Sequence, residues 1–515
     1  MKRDTAYGWG VIGVSLLWGL TSTAPPPPLS LRPTSVARVT IVVDVGRVRQ
    51  TIDGFGAAFP HQATDLMTFP EPLRSRVVDL LFSPTRGAGL SILRGEIGCG
   101  NDPTLGTIEP TPGRFDFRGD RGQVWLMRQA ERRGPVTLFS TVWSPPAWMK
   151  TNGTCAHGGY LAPAHDADFA RYLSMYVRGY RRYHGLTIAA VSPSNEPNAL
   201  YTYQSSQWSG QGYHDFFARY LGPTFARDHV RATVVMPESF WNTRPDELLP
   251  TLRDPASARV VGVIAGHGYH HDTRPWGIAI AHGKRTWQTE IAYFSHQDPG
   301  IADGLYWARN IHAYLTRGGA SAWLWWWGTN GSGARGDGEG LIYLTRTPHP
   351  SSLVSKRLYT IGNYSRFIRP GDLRVDAPAH PAADLYTSVY RTSDGRTVVV
   401  VAINEGRAAY GIRVGLRGTR LRAVTPYVTS ATRNLSPGGP IAVARGGFSA
   451  TLPARSVTTF VGSVAATVRC GAVTRRRSCP TTSHPLSCSS PAWPHACDSL
   501  FRHPSPAAHL AHMGE

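Results

Sequence analysis

The fold of this chain is decided by the stretch Leu186-Thr187-Ile188-Ala189-Ala190-Val191-Ser192-Pro193-Ser194-Asn195-Glu196-Pro197. Its apolar half is typical of a strand buried on both faces of a parallel sheet, and the polar half puts Glu196 just past the strand's carboxyl end. The run Arg285-Thr286-Trp287-Gln288-Thr289-Glu290 repeats the arrangement, with Glu290 as the last residue of another strand-like segment. Two carboxylates at the carboxyl ends of two strands indicate one shared site.

Around these two stretches, short apolar runs alternate with longer segments of helical periodicity. Eight strands that alternate with helices predict an α/β fold, a (β/α)8 TIM barrel, with its reactive groups at the carboxyl ends of the strands. The predicted strands are 52–56, 90–96, 136–142, 188–192, 233–236, 260–266, 285–290 and 321–327.

The pattern changes after Arg369-Pro370-Gly371, where the apolar runs become short and turn residues punctuate them. This pattern predicts an attached antiparallel β-sandwich side domain. Residues 36–48 alternate apolar and polar side chains before the barrel begins, so we expect this segment to join the sandwich. The predicted organisation is a signal peptide (1–24), a linker (25–35), an N-terminal strand (36–50), the catalytic barrel (51–370), the sandwich (371–462) and a disordered tail rich in Cys, Ser and Pro (463–515).

The first residues read as an export signal. Lys2 and Arg3 precede a short apolar stretch, and the small residues of Thr21-Ser22-Thr23-Ala24 offer a cleavage site. The apolar stretch is too short for a membrane span. We therefore expect a secreted, extracellular monomer that does not insert stably into a membrane.

The charge balance is strongly basic, with 54 Lys and Arg against 34 Asp and Glu, a net charge of +20. Such a balance favours acidic polysaccharides or wall surfaces as partners, but arginine-rich codon usage produces the same composition. Nucleic acid is not an expected partner, because the chain lacks zinc-finger spacing and RNA-binding strand motifs. The 15 Trp and 21 Tyr suit stacking on sugar rings, and they equally suit core filling.

Six cysteines are present. Cys99 and Cys155 lie in loops after successive predicted strands, where a secretory context permits pairing, although their spacing does not determine it. The other four lie in the tail and have no zinc-finger spacing.

Glu196 follows the fourth predicted strand and Glu290 ends the seventh, and these strands face one another across the barrel mouth. Two carboxylates that flank one bond suit the hydrolysis of a glycosidic bond. One donates a proton to the departing oxygen, and the other attacks or stabilises the sugar cation. We therefore expect a glycosidase that needs no cofactor and no metal.

Several segments together resemble glycoside hydrolase family 30, over about residues 36–462. The resemblance implies a retaining barrel enzyme in which Glu196 is the general acid/base and Glu290 the nucleophile. It also implies that Glu290 raises the pKa of Glu196. The matching segments are Ile52-Asp53-Gly54-Phe55-Gly56-Ala57-Ala58, residues 143–153, Ser194-Asn195-Glu196-Pro197, Trp287-Gln288-Thr289-Glu290, residues 359–370 and residues 452–460.

By the same resemblance, Asn195 hydrogen-bonds the sugar 2-hydroxyl and Tyr269 lies near the nucleophile. Arg94, at the end of the second strand, either supports the charge of the nucleophile or forms a structural salt bridge. Trp143, Trp326 and Trp327 end the third and eighth strands and are expected to line the sugar cleft, whereas Trp323 and Trp325 are expected in the core. A loop cluster of His267, His270, His271 and Asp272 has metal-ligand chemistry, but without a distant fourth ligand we interpret it as polar lining of the cleft.

The expected substrate is a β-linked polysaccharide, with β-1,4-xylan the first choice. The resemblance also covers enzymes acting on β-1,6-galactan, β-1,6-glucan or glucosylceramide, and the non-enzymatic alternative is a carbohydrate-binding protein on a barrel scaffold. Family members specific for glucuronoxylan carry an Arg just after the eighth strand. Thr329 and Asn330 occupy that place here, and Arg335 lies further on. We therefore predict that glucuronic acid side groups are not required.

Overall fold

The computed structural model describes residues 38–100, 105–294, 297–331 and 338–464. The predicted leader, the linker and the C-terminal tail with its four cysteines lie outside the described residues, as does Arg335. Among the described residues, no helix combines the length and the apolar character needed to cross a bilayer.

The strands and helices are numbered in chain order. The strands are β1 (Arg38–Asp44), β2 (Val48–Thr51), β3 (Gly54–Ala58), β4 (Ile92–Ile97), β5 (Thr137–Val142), β6 (Ile188–Ser192), β7 (Thr233–Phe240), β8 (Val261–His267), β9 (Arg285–Glu290), β10 (Ala322–Gly331), β11 (Gly340–Thr345), β12 (Ser351–Val354), β13 (Leu373–Val375), β14 (Leu385–Arg391), β15 (Thr397–Asn404), β16 (Tyr410–Arg417), β17 (Leu421–Thr429), β18 (Ser436–Pro437), β19 (Ile441–Ala442), β20 (Gly447–Leu452) and β21 (Ser456–Val464). The helices are α1 (Gln62–Met67), α2 (Leu73–Phe82), α3 (Arg121–Glu131), α4 (Asp166–Gly179), α5 (Gly210–Phe216), α6 (Gly222–Arg227), α7 (Pro245–Arg253), α8 (Pro255–Ala258), α9 (Gly277–Ala281), α10 (Ile301–Thr316) and α11 (Lys356–Ser365).

Strands β3 to β10 form a closed parallel barrel, which confirms the predicted fold class. They pair in sequence order, and β10 closes the ring because Ala322 lies opposite both Gly54 of β3 and Trp287 of β9. Every residue of β3 and β4 is buried, as expected of strands covered on both faces. Gly56 permits the close approach of these two strands, since a Cβ there would lie 2.3 Å from the Ile92 carbonyl oxygen.

Two barrel strands end four residues later than predicted. Strand β7 continues past Pro237 to Phe240. The chain forms a bulge at Glu238, where the pairing with β8 shifts by one residue and then resumes. Proline has no N–H for a ladder bond, which is why position 237 resembles a strand end in the sequence. Strand β10 continues to Gly331 and pairs with β11, which forms an unpredicted hairpin with β12.

The C-terminal strands form two sheets. The larger sheet follows the order β18-β17-β21-β15-β14-β13-β2, with β19 on β17, and the smaller follows β1-β16-β20. A hydrophobic cluster joins the two sheets into a sandwich, with Val43 and Val414 from the small sheet against Val400 and Phe460 from the large one. The segment before the barrel is shared, because β1 pairs with β16 and β2 pairs with β13.

Candidate active site

Glu196 and Glu290 meet at the carboxyl-terminal mouth of the barrel. Glu196 lies four residues after the end of β6 and Glu290 is the last residue of β9. Both side chains are nearly buried. An oxygen of each carboxylate and a ring nitrogen of His267 all lie within 4.8 Å of one another. The two strand ends therefore bring both carboxylates to one small volume.

Glu290 is held by two donors. Arg94 Nη1 donates to Oε2 at 2.5 Å, and Tyr269 Oη donates to Oε1 at 2.8 Å. Burial raises the pKa of Glu290 and outweighs the lowering effect of His267 and Arg94. The two donors fix the orientation of the carboxylate.

Glu196 is paired with a fully buried imidazole. His267 Nδ1 lies 2.9 Å from Glu196 Oε1 and 3.6 Å from Glu290 Oε1. Burial raises the pKa of Glu196, but the hydrogen bond and charge of His267, together with Tyr201 and Arg94, outweigh burial and bring that pKa below its usual value. The net pKa of Glu196 is therefore below its usual value, and the expectation that it is raised is wrong for this arrangement.

The pKa of His267 shifts in the direction opposite to that of Glu196. Burial lowers the pKa of His267, but Glu290 and Glu196 outweigh burial, so the pKa lies above its usual value. The short approach of His267 Nδ1 to both carboxylates accounts for the two opposite shifts.

Arg94 connects both strand ends from within the barrel. It lies in the middle of β4 rather than at its end, with no exposed surface. Besides Glu290, its guanidinium donates to Asn195 Oδ1 at 2.7 Å and to Glu238 Oε2 at 3.2 Å. The two sequence interpretations of Arg94 therefore coincide, because it forms a structural ion pair and also contacts Glu290.

Glu238 is a third buried carboxylate that sequence analysis did not assign to the site. Its Oε2 accepts from Thr141 Oγ1 at 2.5 Å as well as from Arg94, and its backbone carbonyl accepts from Glu196 N at 2.9 Å. A usable signal was present, because Glu238 stands near the carboxyl end of the fifth barrel strand, as Glu196 and Glu290 do at theirs. The preceding Pro237 made the strand appear to end earlier.

Tryptophans form one wall of the site. Trp143 and Trp326 lie with ring centroids 5.9 Å apart, and Trp326 stacks on Trp327 at 5.5 Å. The Arg94 guanidinium lies 4.6 Å from the Trp143 ring centroid. Trp323 and Trp325 have no exposed surface and pack in the core, as the sequence analysis expected.

The other wall consists of aromatic side chains that sequence analysis did not single out. Tyr201 and Tyr203 stack at 4.6 Å, Phe240 contacts His270, and Phe294 packs against Tyr269. Tyr201, Tyr203 and Phe294 lie in loops after β6 and β9, which carry no strand or helix pattern from which a position could be predicted. Phe240 is the last residue of β7, beyond the predicted end of that strand.

The cleft between the walls encloses about 870 Å³. It also exposes part of two further carboxylate side chains, Glu96 on β4 and Glu339 just before β11. The backbone of Glu96 is fixed by Gln123, whose side chain accepts from its N at 2.7 Å and donates to its O at 2.8 Å. The cleft therefore combines ring faces with acidic side chains.

The histidine cluster predicted from the sequence is dispersed. His267 points into the site, whereas Asp272 is ion-paired to Arg274 and Tyr306 approaches His271. Among the described residues, the group with metal-ligand geometry is Glu196, His267 and Glu290 themselves. A metal there would compete with the cation of Arg94 for Glu290.

The place after the eighth strand carries no arginine among the described residues. Thr329 is buried and Asn330 is half-buried, both within β10. The Asn330 amide points toward Glu339, with Nδ2 3.4 Å from Oε2.

A disulfide joins the loops after β4 and β5, linking Cys99 to Cys155. The buried Lys150 extends this connection, because its Nζ donates to the carbonyls of Cys155 at 3.3 Å and Ser205 at 2.6 Å. Three loops beside the cleft are thus fastened together.

The comparisons with known proteins agree with this geometry. The model of glycosyl hydrolase family 59 matches residues 52–332. Glucuronoxylanase XynC of Bacillus subtilis is 29% identical over 355 residues, which is 66% of this chain and 76% of that protein. Lysosomal acid glucosylceramidase of Mus musculus is 24% identical over 389 residues, 68% of this chain and 75% of that protein. The solved structure of the glycoside hydrolase family 30 subfamily 8 xylanase Xyn30A from Clostridium acetobutylicum is 33% identical. It superimposes with a TM-score of 0.69 and covers 82% of this chain and 99% of that chain.

Proposed function

This chain belongs to the group of glycoside hydrolases formed by family 30 and the related family 59, and on that premise we propose that it hydrolyses a β-linked polysaccharide with retention of configuration. The observation that carries the proposal is the approach of Glu196 and Glu290 oxygens within 4.8 Å. Retaining enzymes need carboxyl groups about 5–5.5 Å apart, because one attacks the sugar directly, whereas inverting enzymes leave room for a water between them.

Glu290 is the proposed nucleophile. Its oxygen attacks the anomeric carbon as the bond from that carbon to the leaving oxygen breaks, which forms a glycosyl ester. Arg94 and Tyr269 orient the carboxylate for this attack through the hydrogen bonds described above. Their contacts with Glu290 also keep the attacking oxygen from rotating away from the substrate.

Glu196 is the proposed acid and base. The proton held on the Glu196–His267 hydrogen bond passes through Glu196 to the departing oxygen. Once Glu290 is esterified it carries no charge, and Glu196 removes a proton from water as that water attacks the anomeric carbon. The water oxygen becomes the new hydroxyl, Glu290 leaves as a carboxylate, and the proton returns to the Glu196–His267 pair.

Asn195 and the aromatic walls are proposed to position the sugar. Arg94 donates a hydrogen bond to the amide oxygen of Asn195. This bond orients the amide so that its nitrogen can donate to a sugar hydroxyl. Trp143, Trp326 and Trp327 present ring surfaces on one side of the carboxylates. Sugar C–H faces stack on such rings. Neither role requires a metal or cofactor.

We infer that β-1,4-xylan without obligatory glucuronic acid groups is the substrate. The names of two relatives support a xylan substrate. One feature opposes a uronate requirement, because Thr329 and Asn330 stand where the family's arginine is expected.

Secretion is also proposed. The export-like leader supports it, and so does the Cys99–Cys155 disulfide, since disulfides persist in oxidising compartments.

A product assay tests the proposal. The protein is incubated with linear xylo-oligosaccharides, glucuronoxylan, β-1,6-galactan, β-1,6-glucan and glucosylceramide, and NMR follows the first anomer released. We expect comparable rates on linear xylan and glucuronoxylan, with the β anomer appearing first. The α anomer appearing first would contradict retention. Activity confined to a galactan, glucan or ceramide substrate would replace xylan, and strong preference for glucuronoxylan would contradict the inference from residues 329 and 330.

A further inference from the structure

Helix α3 carries a regular basic and aromatic pattern away from the active site. Four residues recur at intervals of four, three and four positions and so lie on one face: Arg121, Trp125, Arg128 and Arg132. Arg132 lies one residue past the end of the helix. The three arginines are exposed and Trp125 is half-buried, while the opposite face packs into the barrel. At 1.5 Å per residue, the arginines stand about 10 Å and 6 Å apart along the axis. We call these four residues the α3 basic face.

A surface cavity of about 540 Å³ lies along the α3 basic face. Phe117, Arg118 and His184 form its other side. Next to it, the ring of Tyr183 is 57% exposed and stacks on Phe117 with centroids 4.9 Å apart. The Arg182 guanidinium lies 5.6 Å from the Tyr183 ring centroid. Exposed aromatic rings and guanidinium groups therefore alternate around this cavity.

The positive charges here are largely uncompensated. Within the described part of the chain, Arg121, Arg128, Arg132 and Arg182 take part in no ion pair, in contrast to arginines such as Arg133, which is paired with Asp79. The carboxylate lining the cavity is Asp120, which is buried and has a pKa raised by burial to about 7. It is therefore largely neutral in mildly acidic surroundings. Clustered cations without counter-charges repel one another, so an anionic occupant is favoured.

We propose that the α3 basic face and its cavity form a second, non-catalytic binding site for a polysaccharide chain that carries uronate carboxylates. Guanidinium groups bind carboxylates through paired hydrogen bonds, and the rings of Trp125 and Tyr183 stack on sugar faces. A glycan fits better than a nucleic acid, because the chain is a glycan hydrolase and shows no sequence pattern for base recognition.

The two sites complement one another in charge. The cleft is built around two central carboxylates, whereas the α3 basic face carries cations. Acidic regions of a wall polysaccharide are thus held at α3, and binding there raises the local concentration of cleavable chain at the cleft. That effect on hydrolysis, unlike the binding itself, rests on the proposed function.

Binding is measured without turnover by introducing Glu290→Gln into the full chain. Affinity electrophoresis and calorimetry use polygalacturonate, glucuronoxylan and carboxyl-reduced glucuronoxylan as probes. The test variant adds Arg121→Gln, Arg128→Gln and Arg132→Gln. The matched control adds Arg413→Gln, Arg420→Gln and Arg422→Gln, which remove the same charge from exposed positions on the sandwich.

We expect both acidic polymers to bind and the carboxyl-reduced polymer to bind at least tenfold more weakly. The α3 variant should lose at least tenfold in affinity for the acidic polymers, and the sandwich control should stay within twofold. Tyr183→Ala should lose affinity severalfold for the acidic polymers. In the active chain, the α3 variant should keep its rate on soluble trisaccharides and lose rate on the acidic polymer.

Equal losses in the α3 and sandwich variants would overturn the proposal, because they would mean diffuse attraction to net charge. Unchanged affinity in the α3 variant would overturn it as well. Tighter binding of a single-stranded oligonucleotide than of either acidic polymer, lost in the α3 variant, would assign the surface to nucleic acid instead. A chain that binds acidic polymers through α3 but cleaves none of the tested glycans would leave the binding site standing and reject the proposed substrate.

Discussion

Arg94 is the residue on which the site's electrostatics depend. It is buried without exposed surface and contacts Glu238, Glu290 and the amide of Asn195. Removing one member of a buried ion pair is expected to cost about 3–5 kcal/mol, because the remaining charge stays desolvated. The same residue therefore stabilises the barrel mouth and orients the carboxylate proposed to attack the sugar.

Replacing Glu290 with Ala should abolish hydrolysis while the protein stays folded. The side chain contributes no large apolar surface, and the cavity left beside Arg94 and Tyr269 suits a small anion. Added azide should restore activity and yield the glycosyl azide of inverted configuration, which NMR identifies. Rescue with retained configuration would contradict the assignment of Glu290 as nucleophile.

Replacing Glu196 with Ala should slow hydrolysis in proportion to how much the leaving group needs a proton. We expect a loss of about 10²–10⁴-fold on natural glycans. Formation of the glycosyl ester from an aryl glycoside with an acidic phenol should be nearly unchanged, as measured by the burst of released phenol. The comparison variant is Glu238→Gln, which should affect both substrates alike. An equal loss on both substrates for Glu196→Ala would contradict its role as the acid.

At the scale of elements, two adjacent barrel strands share an unusual backbone conformation at their carboxyl ends. Glu196 after β6 and Glu238 in β7 both have positive φ angles, 45° and 58°, a conformation uncommon for residues with a side chain. The Glu196 N–H donates to the Glu238 carbonyl, so the two turns support one another. From these two turns, the Glu196 side chain contacts His267 and the Glu238 side chain contacts Arg94.

The contact between α3 and the end of α4 predicts a pH-dependent stability. Asp120, just before α3, is buried and accepts from Tyr180 Oη. Burial raises its pKa from 3.8 to about 7. The folded state thus favours protonated Asp120. The resulting contribution to the free energy of unfolding is complete below pH 3.8 and is lost as the pH rises through 7.

Asp120→Asn should remove that dependence, because an amide is neutral at all these pH values and still accepts from Tyr180. Urea denaturation between pH 4 and pH 7 measures the free energy of unfolding. With each pH unit, this free energy should fall by up to about 1.4 kcal/mol more for the native protein than for the variant. The variant should be the more stable of the two at pH 8. Asp116→Asn, at a more exposed position nearby, serves as the control and should show no such gain. Parallel pH profiles for native protein and Asp120→Asn would contradict the burial argument.

At the scale of the whole molecule, barrel and sandwich share one hydrophobic core. The largest cluster of buried side chains contains barrel residues such as Trp323 together with Tyr390, Val401 and Val457 from the larger sheet of the sandwich. Helix α11 joins them through Asn363, whose amide donates to Thr459 Oγ1 at 3.0 Å and to the Tyr427 carbonyl at 3.1 Å. We therefore expect a single cooperative unfolding transition.

Asn363→Ala should lower the free energy of unfolding by about 1–3 kcal/mol, because it removes two hydrogen bonds from its amide to β17 and β21. Calorimetry should record one transition that shifts as a whole. Asn434→Ala removes an exposed contact to Lys356 at the same boundary and should cost under about 1 kcal/mol. Two separated transitions in the Asn363 variant would mean that the sandwich and barrel unfold independently.

The sequence by itself determined the barrel, the antiparallel side domain and the position of both central glutamates. Strands such as β6 and β9 are continuous, nearly apolar runs, and a parallel barrel brings the carboxyl ends of its strands to one rim. The period of the side chains and the place of a residue along its strand are local properties, so they can be read from the chain alone.

Only the tertiary structure decided the rest of the site. The role of Glu238 depends on a bulge after Pro237, and the contacts of Arg94 join β4 to three other strand ends. The pairing of Cys99 with Cys155 and the positions of Tyr201 and Phe294 depend on loops, whose course cannot be predicted from periodicity. The position of Phe240 depends on the end of β7, which lies beyond its predicted end. The pKa of Glu196 lies below its usual value rather than above it, because His267 from another strand sits 2.9 Å away. These features depend on distances between residues far apart in the chain, and side-chain charge, hydrogen bonding and burial follow those distances.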